Sequence, residues 1–137
     1  MATEPKVVRL RFAALFAHRS VAIDLIGCLA AHVTSDGTFR DALTTAFGEA
    51  FNNVVEHSYR DRSDGLLDVE AELTETCVKL TLTDTGAPAD LTAVALPDLA
   101  TLPEGGMGLF MMHSFVDEVV YRAGSPNVLT LTKWTAR

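Results

Sequence analysis

Glu49-Ala50-Phe51-Asn52-Asn53-Val54-Val55-Glu56-His57-Ser58-Tyr59 carries two opposite faces at the repeat of an α-helix. At about 100° per residue, Glu49, Asn52, Asn53 and Glu56 fall in one arc with His57 at its edge, while Leu43, Phe47, Phe51, Val54 and Ser58 fall on the other. Such a helix lays its apolar side on a sheet and turns a carboxylate and an amide, four residues apart, outward. A solvated outer face would read the same way. The chemistry suggests more: a carboxamide oxygen suits a hard cation such as magnesium, which keeps several waters, and a neighbouring carboxylate can act as a general base. The helix is predicted to start at Thr38, whose hydroxyl caps it, with Asp41 near the positive end of its dipole, and to run to about Ser58.

Outward from this helix the period changes to two. Asp61 to Gly65 reads as a turn. Leu67, Val69, Ala71 and Leu73 then alternate with Asp68, Glu70 and Glu72, and Val78, Leu80 and Leu82 alternate with Lys79, Thr81 and Thr83, joined as a hairpin by Thr74-Glu75-Thr76. On the N-terminal side, Val8, Leu10 and Phe12 alternate with Arg9 and Arg11 as a half-buried strand. Ala22, Ile26, Leu29 and Val33 follow at helical spacing behind Ser20 as N-cap, and Ser35-Asp36-Gly37 breaks that helix. A third helix is expected from Gly108 to about Phe115, and a last hairpin joins Glu118–Tyr121 to Val128–Trp134 across Gly124-Ser125-Pro126-Asn127. Hairpin strands with helices gathered on one face predict an α+β, two-layer α/β sandwich with a mixed, mostly antiparallel sheet.

The 137 residues, 18 acidic against 11 basic for a net charge of -7, fit one domain spanning 1–137. The acidic balance repels a polyphosphate backbone and the lysines are scattered, so direct nucleic-acid binding is not expected. No apolar run reaches the ~18 residues of a membrane helix and no signal-type core precedes residue 12, so the expectation is a cytoplasmic protein with no membrane contact. Cys28 and Cys77 form no C-x-x-C pattern and read as small buried hydrophobes. The stretch from Gly86 to Gly106 lacks periodicity and reads as one long functional loop.

Two further segments carry chemistry. The strand Cys77 to Thr83 delivers Asp84 at its end, followed by Thr85 and Gly86. A strand-terminal carboxylate can accept a hydrogen bond from an exocyclic amine on a ligand, with Gly86 removing the side chain that would block it; a plain turn has the same sequence. Glu104-Gly105-Gly106-Met107-Gly108 leads directly into a helix, where close backbone approach and unpaired amides favour phosphate. A flexible loop closed by a tight turn would also be glycine-rich. Neither a G-K-[ST] P-loop nor an early G-x-G-x-x-G dinucleotide turn is present.

Taken together, the three segments resemble the GHKL ATP-binding superfamily, which includes gyrase, the heat-shock chaperone, histidine kinases and the mismatch-repair ATPase. Within it the chain looks most like the bacterial anti-sigma-factor serine/threonine kinases. Glu49 to Tyr59 matches that family's E-x-x-x-N-x-x-x-H-x-Y helix, Asp84-Thr85-Gly86 its D-x-G box, and Gly106-Met107-Gly108-Leu109-Phe110 its G-x-G box. The resemblance implies a Bergerat-type ATP-binding fold over nearly the whole chain. By that resemblance Asn53 ligates the magnesium that bridges the ATP phosphates, Glu49 takes the proton from the attacking hydroxyl, and Asp84 binds the adenine amine. Gly86 admits the ring, and Gly106, Met107, Gly108 and Leu109 belong to a lid over the triphosphate. His57 is expected to make a supporting polar contact. The four-residue spacing from Glu49 favours Asn53 over the adjacent Asn52.

The sequence departs from the family twice: Ala87-Pro88 follows the D-x-G box, and Pro103-Glu104-Gly105 stands where several anti-sigma kinases carry an arginine. A cation missing there weakens charge stabilisation during transfer. Arg60 and Arg62, just behind the helix, are candidate replacements. The resemblance implies a Mg-ATP-dependent kinase that sequesters a sigma factor and phosphorylates a STAS-type anti-anti-sigma protein, with a homodimer compatible. The alternatives are an ATP-binding interaction module without phosphotransfer, and a catalytic domain acting on a histidine-bearing partner.

Overall fold

The computed structural model describes residues 4–88 and 106–135. Strand β1 (Lys6–Ala13) leads through a 3-10 turn (Phe16–His18) into α1 (Arg19–Ala31), and α2 (Gly37–Asn53) continues as a π-helical turn (Val54–Ser58). The hairpin β2 (Leu66–Leu73) and β3 (Cys77–Asp84) follows, then α3 (Gly106–Phe115), β4 (Glu118–Arg122) and β5 (Asn127–Trp134). The strands form one sheet in the order β1-β2-β3-β5-β4. Every described pairing is antiparallel.

The period-2 strands work as expected. On β2 and β3, Leu67, Val69, Ala71, Leu73, Val78, Leu80 and Leu82 are buried, while Glu70, Glu72, Lys79 and Thr81 alternate onto the other face. The buried face receives α2, whose Leu43, Phe47 and Phe51 are fully enclosed. Phe51 meets Phe12 of β1 edge-on, with ring centroids 6.4 Å apart. α2 is the middle helix of its layer, packed against α1 on one side and α3 on the other. The other sheet face carries cross-strand pairs set by the β1/β2 register: Arg11 to Asp68 at 2.7 Å and Arg9 to Glu70 at 3.4 Å.

Local details correct several expectations. α2 is capped by Asp36, whose carboxylate accepts the Thr38 amide at 2.9 Å, so Thr38 lies inside the helix and not at its cap. With two good caps two residues apart, the stronger acceptor takes the position. Asp41 then falls beyond the first turn, where the dipole has little effect. Ser20 does not cap α1 either; the 3-10 turn feeds directly into that helix, and the Arg19 amide bonds to the Phe16 carbonyl. The cysteines are not buried. Cys28 projects from the outer face of α1, because Ala22, Ile26 and Ala30 hold the inner one. Cys77 is half-buried at the first residue of β3, and this burial, followed by the nearby Asp117 charge, pushes its thiol pKa up. Among the described residues no helix is long and apolar enough to cross a membrane.

Candidate functional site

Glu49 and Asn53 stand one turn apart near the C-terminal end of α2, both half-buried. Neither side chain has a hydrogen-bond partner among the described residues, so a carboxylate and a carboxamide share a stripe without being spent on the fold. Asn52 differs. Its amide oxygen is shut off from solvent and has no hydrogen-bond partner among the described residues. A magnesium ion keeps several waters and needs an accessible oxygen, which the half-buried Asn53 offers and the enclosed Asn52 oxygen does not. Among the described residues no group of three or more His, Cys, Asp or Glu side chains is gathered to hold a metal.

After Asn53 the helix widens. Tyr59 N–H bonds to the Val54 carbonyl at 3.0 Å, an i to i−5 contact, and π turns of this kind occur frequently at functional sites. The turn leaves Glu56 and His57 on the surface, with His57 Nε2 3.8 Å from Glu56 Oε2. It ends in two consecutive residues of positive φ, Arg60 (50°) and Asp61 (63°), while Asp61 N–H returns to the Val55 carbonyl at 2.9 Å. Of the two candidate replacement cations, Arg62 is engaged with Asp64 at 3.2 Å, and Arg60 forms no ion pair among the described residues.

Asp84, at the end of β3, is only 5% exposed. Its Oδ1 accepts the Gly86 amide at 3.0 Å and the Asn127 Nδ2 amide at 2.9 Å. Asn127 is fully buried; its Nδ2 also donates to the Gly86 carbonyl at 3.0 Å and the Ala87 carbonyl at 3.3 Å, and its Oδ1 accepts the Gly124 amide at 3.0 Å. Sequence reasoning placed Asn127 in a turn and missed this role. The β3/β5 register sets Asp84 directly opposite Asn127, and only that long-range pairing reveals it. Removing the amide strips a charge-assisted hydrogen bond from a buried carboxylate, so Asn127→Ala is expected to cost about 2 kcal/mol, read as a lower urea midpoint.

Gly86 lies against the end of the π turn. A Cβ there would overlap the Ser58 carbonyl group and come within 2.8 Å of the Ser58 Cβ. The Ala87 amide bonds to that same carbonyl at 2.7 Å. The D-x-G turn and the exit of the asparagine helix are therefore one packed unit. Ala87-Pro88 fits within it, because the Ala87 amide is used and Pro88 is exposed.

Gly106, Met107, Gly108 and Leu109 form the first turns of α3, which begins two residues before the expected Gly108. The α3 helix flanks α2, bringing the glycine pair to the layer that carries Glu49 and Asn53. Of the loop expected from Gly86 to Gly106, residues 89–105, including Pro103-Glu104-Gly105, lie outside the described residues. The grooves lined by Arg9, Arg11 and Glu70 and by Lys79, Val120 and Trp134 lie on the other face of the sheet, away from all these residues.

The family profile described as the histidine kinase-like ATPase domain matches residues 12–133. The chain belongs to this family. An anti-sigma F factor of Clostridium beijerinckii is 38% identical over 77 residues, covering 53% of this chain and 54% of the relative. A serine-protein kinase RsbW of Staphylococcus aureus is 29% identical over 98 residues, covering 65% of this chain and 62% of the relative. The chain thus spans less than two thirds of these relatives' lengths. Among solved structures, the RsbU and RsbW domains of Rv1364c from Mycobacterium tuberculosis match with a TM-score of 0.66 at 19% identity, over 93% of this chain and 31% of that one. A blue-light activated histidine kinase domain from Erythrobacter litoralis matches with a TM-score of 0.53 at 12% identity, over 84% of this chain and 60% of that one. At these identities the two structures establish the fold, a histidine kinase-like α+β domain.

Proposed function

We propose that this chain is a Mg-ATP-dependent protein serine/threonine kinase that acts as an anti-sigma factor, binding a sigma factor and phosphorylating a STAS-type anti-anti-sigma protein. The observation that carries the reading is the uncommitted pair Glu49 and Asn53 on one stripe of α2, with the exit of that helix packed onto the turn bearing Asp84. The relatives named anti-sigma F factor and serine-protein kinase RsbW support the choice within the family.

The donor set fits the expected ligands. Asn53 would supply one oxygen to magnesium, with water and phosphate oxygens completing the shell. Asp84 has both of its described bonds on Oδ1, so Oδ2 is the oxygen for an exocyclic amine. Bound magnesium would neutralise charge on the transferred phosphoryl group. Glu49 would accept the proton of the attacking serine or threonine hydroxyl, and the N-terminal turns of α3 would direct amides toward phosphate.

Titration with ATP, with and without magnesium, tests the nucleotide reading. Magnesium is expected to tighten ATP binding, Asn53→Ala to abolish most of that gain, about 10- to 100-fold, and Asn52→Ala to leave it within about twofold. Equal loss from both variants would remove Asn53 as the ligand. Radiolabelled phosphate transfer to a STAS-type acceptor tests the kinase reading. Clear ATP binding without transfer to any such acceptor would leave an interaction module, and an acid-labile product would move the acceptor from serine to histidine.

A further inference from the structure

Tyr59 is 3% exposed at the point where the helix bearing Asn53 gives way to the turn before β2. Its ring lies on Gly65, where any Cβ would overlap the ring atoms. Its hydroxyl donates to the Leu66 carbonyl at 2.6 Å and accepts the Thr85 amide at 3.0 Å, with Thr85 Oγ1 at 3.4 Å. One proton given and lone pairs filled uses the capacity of a phenol fully.

The partner of that hydroxyl is informative. Thr85 sits between Asp84 and Gly86, and the three amides that follow Asp84 are each engaged: Thr85 by the Tyr59 hydroxyl, Gly86 by Asp84 Oδ1, and Ala87 by the Ser58 carbonyl. Two of the three acceptors are consecutive residues at the exit of the asparagine helix. The turn therefore takes its orientation from that helix, as well as from its own strand.

We propose that Tyr59 is a positioning residue for the base end of the nucleotide site: its hydroxyl fixes the Asp84-Thr85-Gly86 turn relative to the helix that carries Asn53, and so sets how Asp84 meets an adenine. The inference rests on the ATP-binding reading above. It assigns Tyr59 to recognition of the base and not to the phosphates or the metal.

Tyr59→Phe keeps the ring on Gly65 and deletes only the hydroxyl. The expected result is a loss of affinity of about tenfold, the scale of one partly buried hydrogen bond, equal for ATP, ADP and adenosine. The affinity gained from magnesium stays unchanged. Discrimination between ATP and GTP falls by the same factor, because a displaced Asp84 no longer selects the amine. In the full chain, hydrogen exchange at the Thr85 amide accelerates in the variant. An unchanged ATP-to-GTP ratio, or a loss confined to the triphosphate, would overturn the assignment and leave Tyr59 as a packing residue. Slow Thr85 exchange in Tyr59→Phe would overturn the hydrogen bond itself. Wild-type protein that binds no adenine nucleotide would overturn the function reading and this inference together, an outcome distinct from normal binding by both proteins.

Discussion

Glu49→Gln is expected to bind Mg-ATP within about threefold of the unsubstituted protein and to transfer phosphate to its acceptor about 10²- to 10⁴-fold more slowly. The amide keeps the size and most of the polarity of the carboxylate but cannot take a proton, and loss of a positioned general base typically costs that much. Phosphoryl transfer has a loose transition state in which the nucleophile has formed little bond, so the lower end of the range is favoured. Glu49 has no hydrogen-bond partner among the described residues. Its replacement therefore leaves no orphaned group, and the melting temperature should move by no more than a degree or two. The measurement is single-turnover transfer of radiolabelled phosphate, with ATP affinity determined separately. Full-rate transfer by Glu49→Gln or Glu49→Ala would remove this residue as the base. A parallel fall in affinity and rate would instead make Glu49 part of the binding site.

The sequence was most legible where a short repeat met a continuous face. The period-2 pattern of Leu67 to Leu82 gave the β2/β3 hairpin and its buried side, and the 3.6-residue pattern gave the apolar face of α2. Asp84 at a strand end was visible for the same reason. What escaped was decided by competition or by distance. Asp36 and Thr38 are both good caps, and periodicity does not choose between them. The π turn changes the phase of Glu56 to Ser58 without a marker in composition, because five apolar and polar residues in either winding look alike. Asn127 reads as a turn residue until the β3/β5 register brings it opposite Asp84, across 43 positions of chain. The local pattern thus singled out the ends of the candidate site, and the contacts that hold those segments together came only from tertiary structure.

That division matters most at Gly86, where two different causes predict the same residue. On the proposed reading the glycine would clear space for a ligand; in the structure it clears space for the Ser58 backbone. Its φ is not positive, so conformational freedom is not the reason a side chain is absent. In Gly86→Ala the new methyl meets the Ser58 carbonyl group, which is already tied to the Ala87 amide at 2.7 Å. A flexible side chain would swing aside; a backbone carbonyl in a hydrogen bond cannot. Relief requires the D-x-G turn to lift from the helix exit, which breaks the Ala87 bond and shifts Asp84 from its place beside Asn127. Overpacking of this kind costs about 3 kcal/mol, a fall in melting temperature of about 10 °C, and the displaced carboxylate should reduce ATP affinity by about 100-fold. A glycine needed only for the ligand would give weaker binding at unchanged stability. Thermal melts and ATP titrations on the one variant therefore separate the causes, and an unshifted melt would show that the helix and the turn are not packed as described.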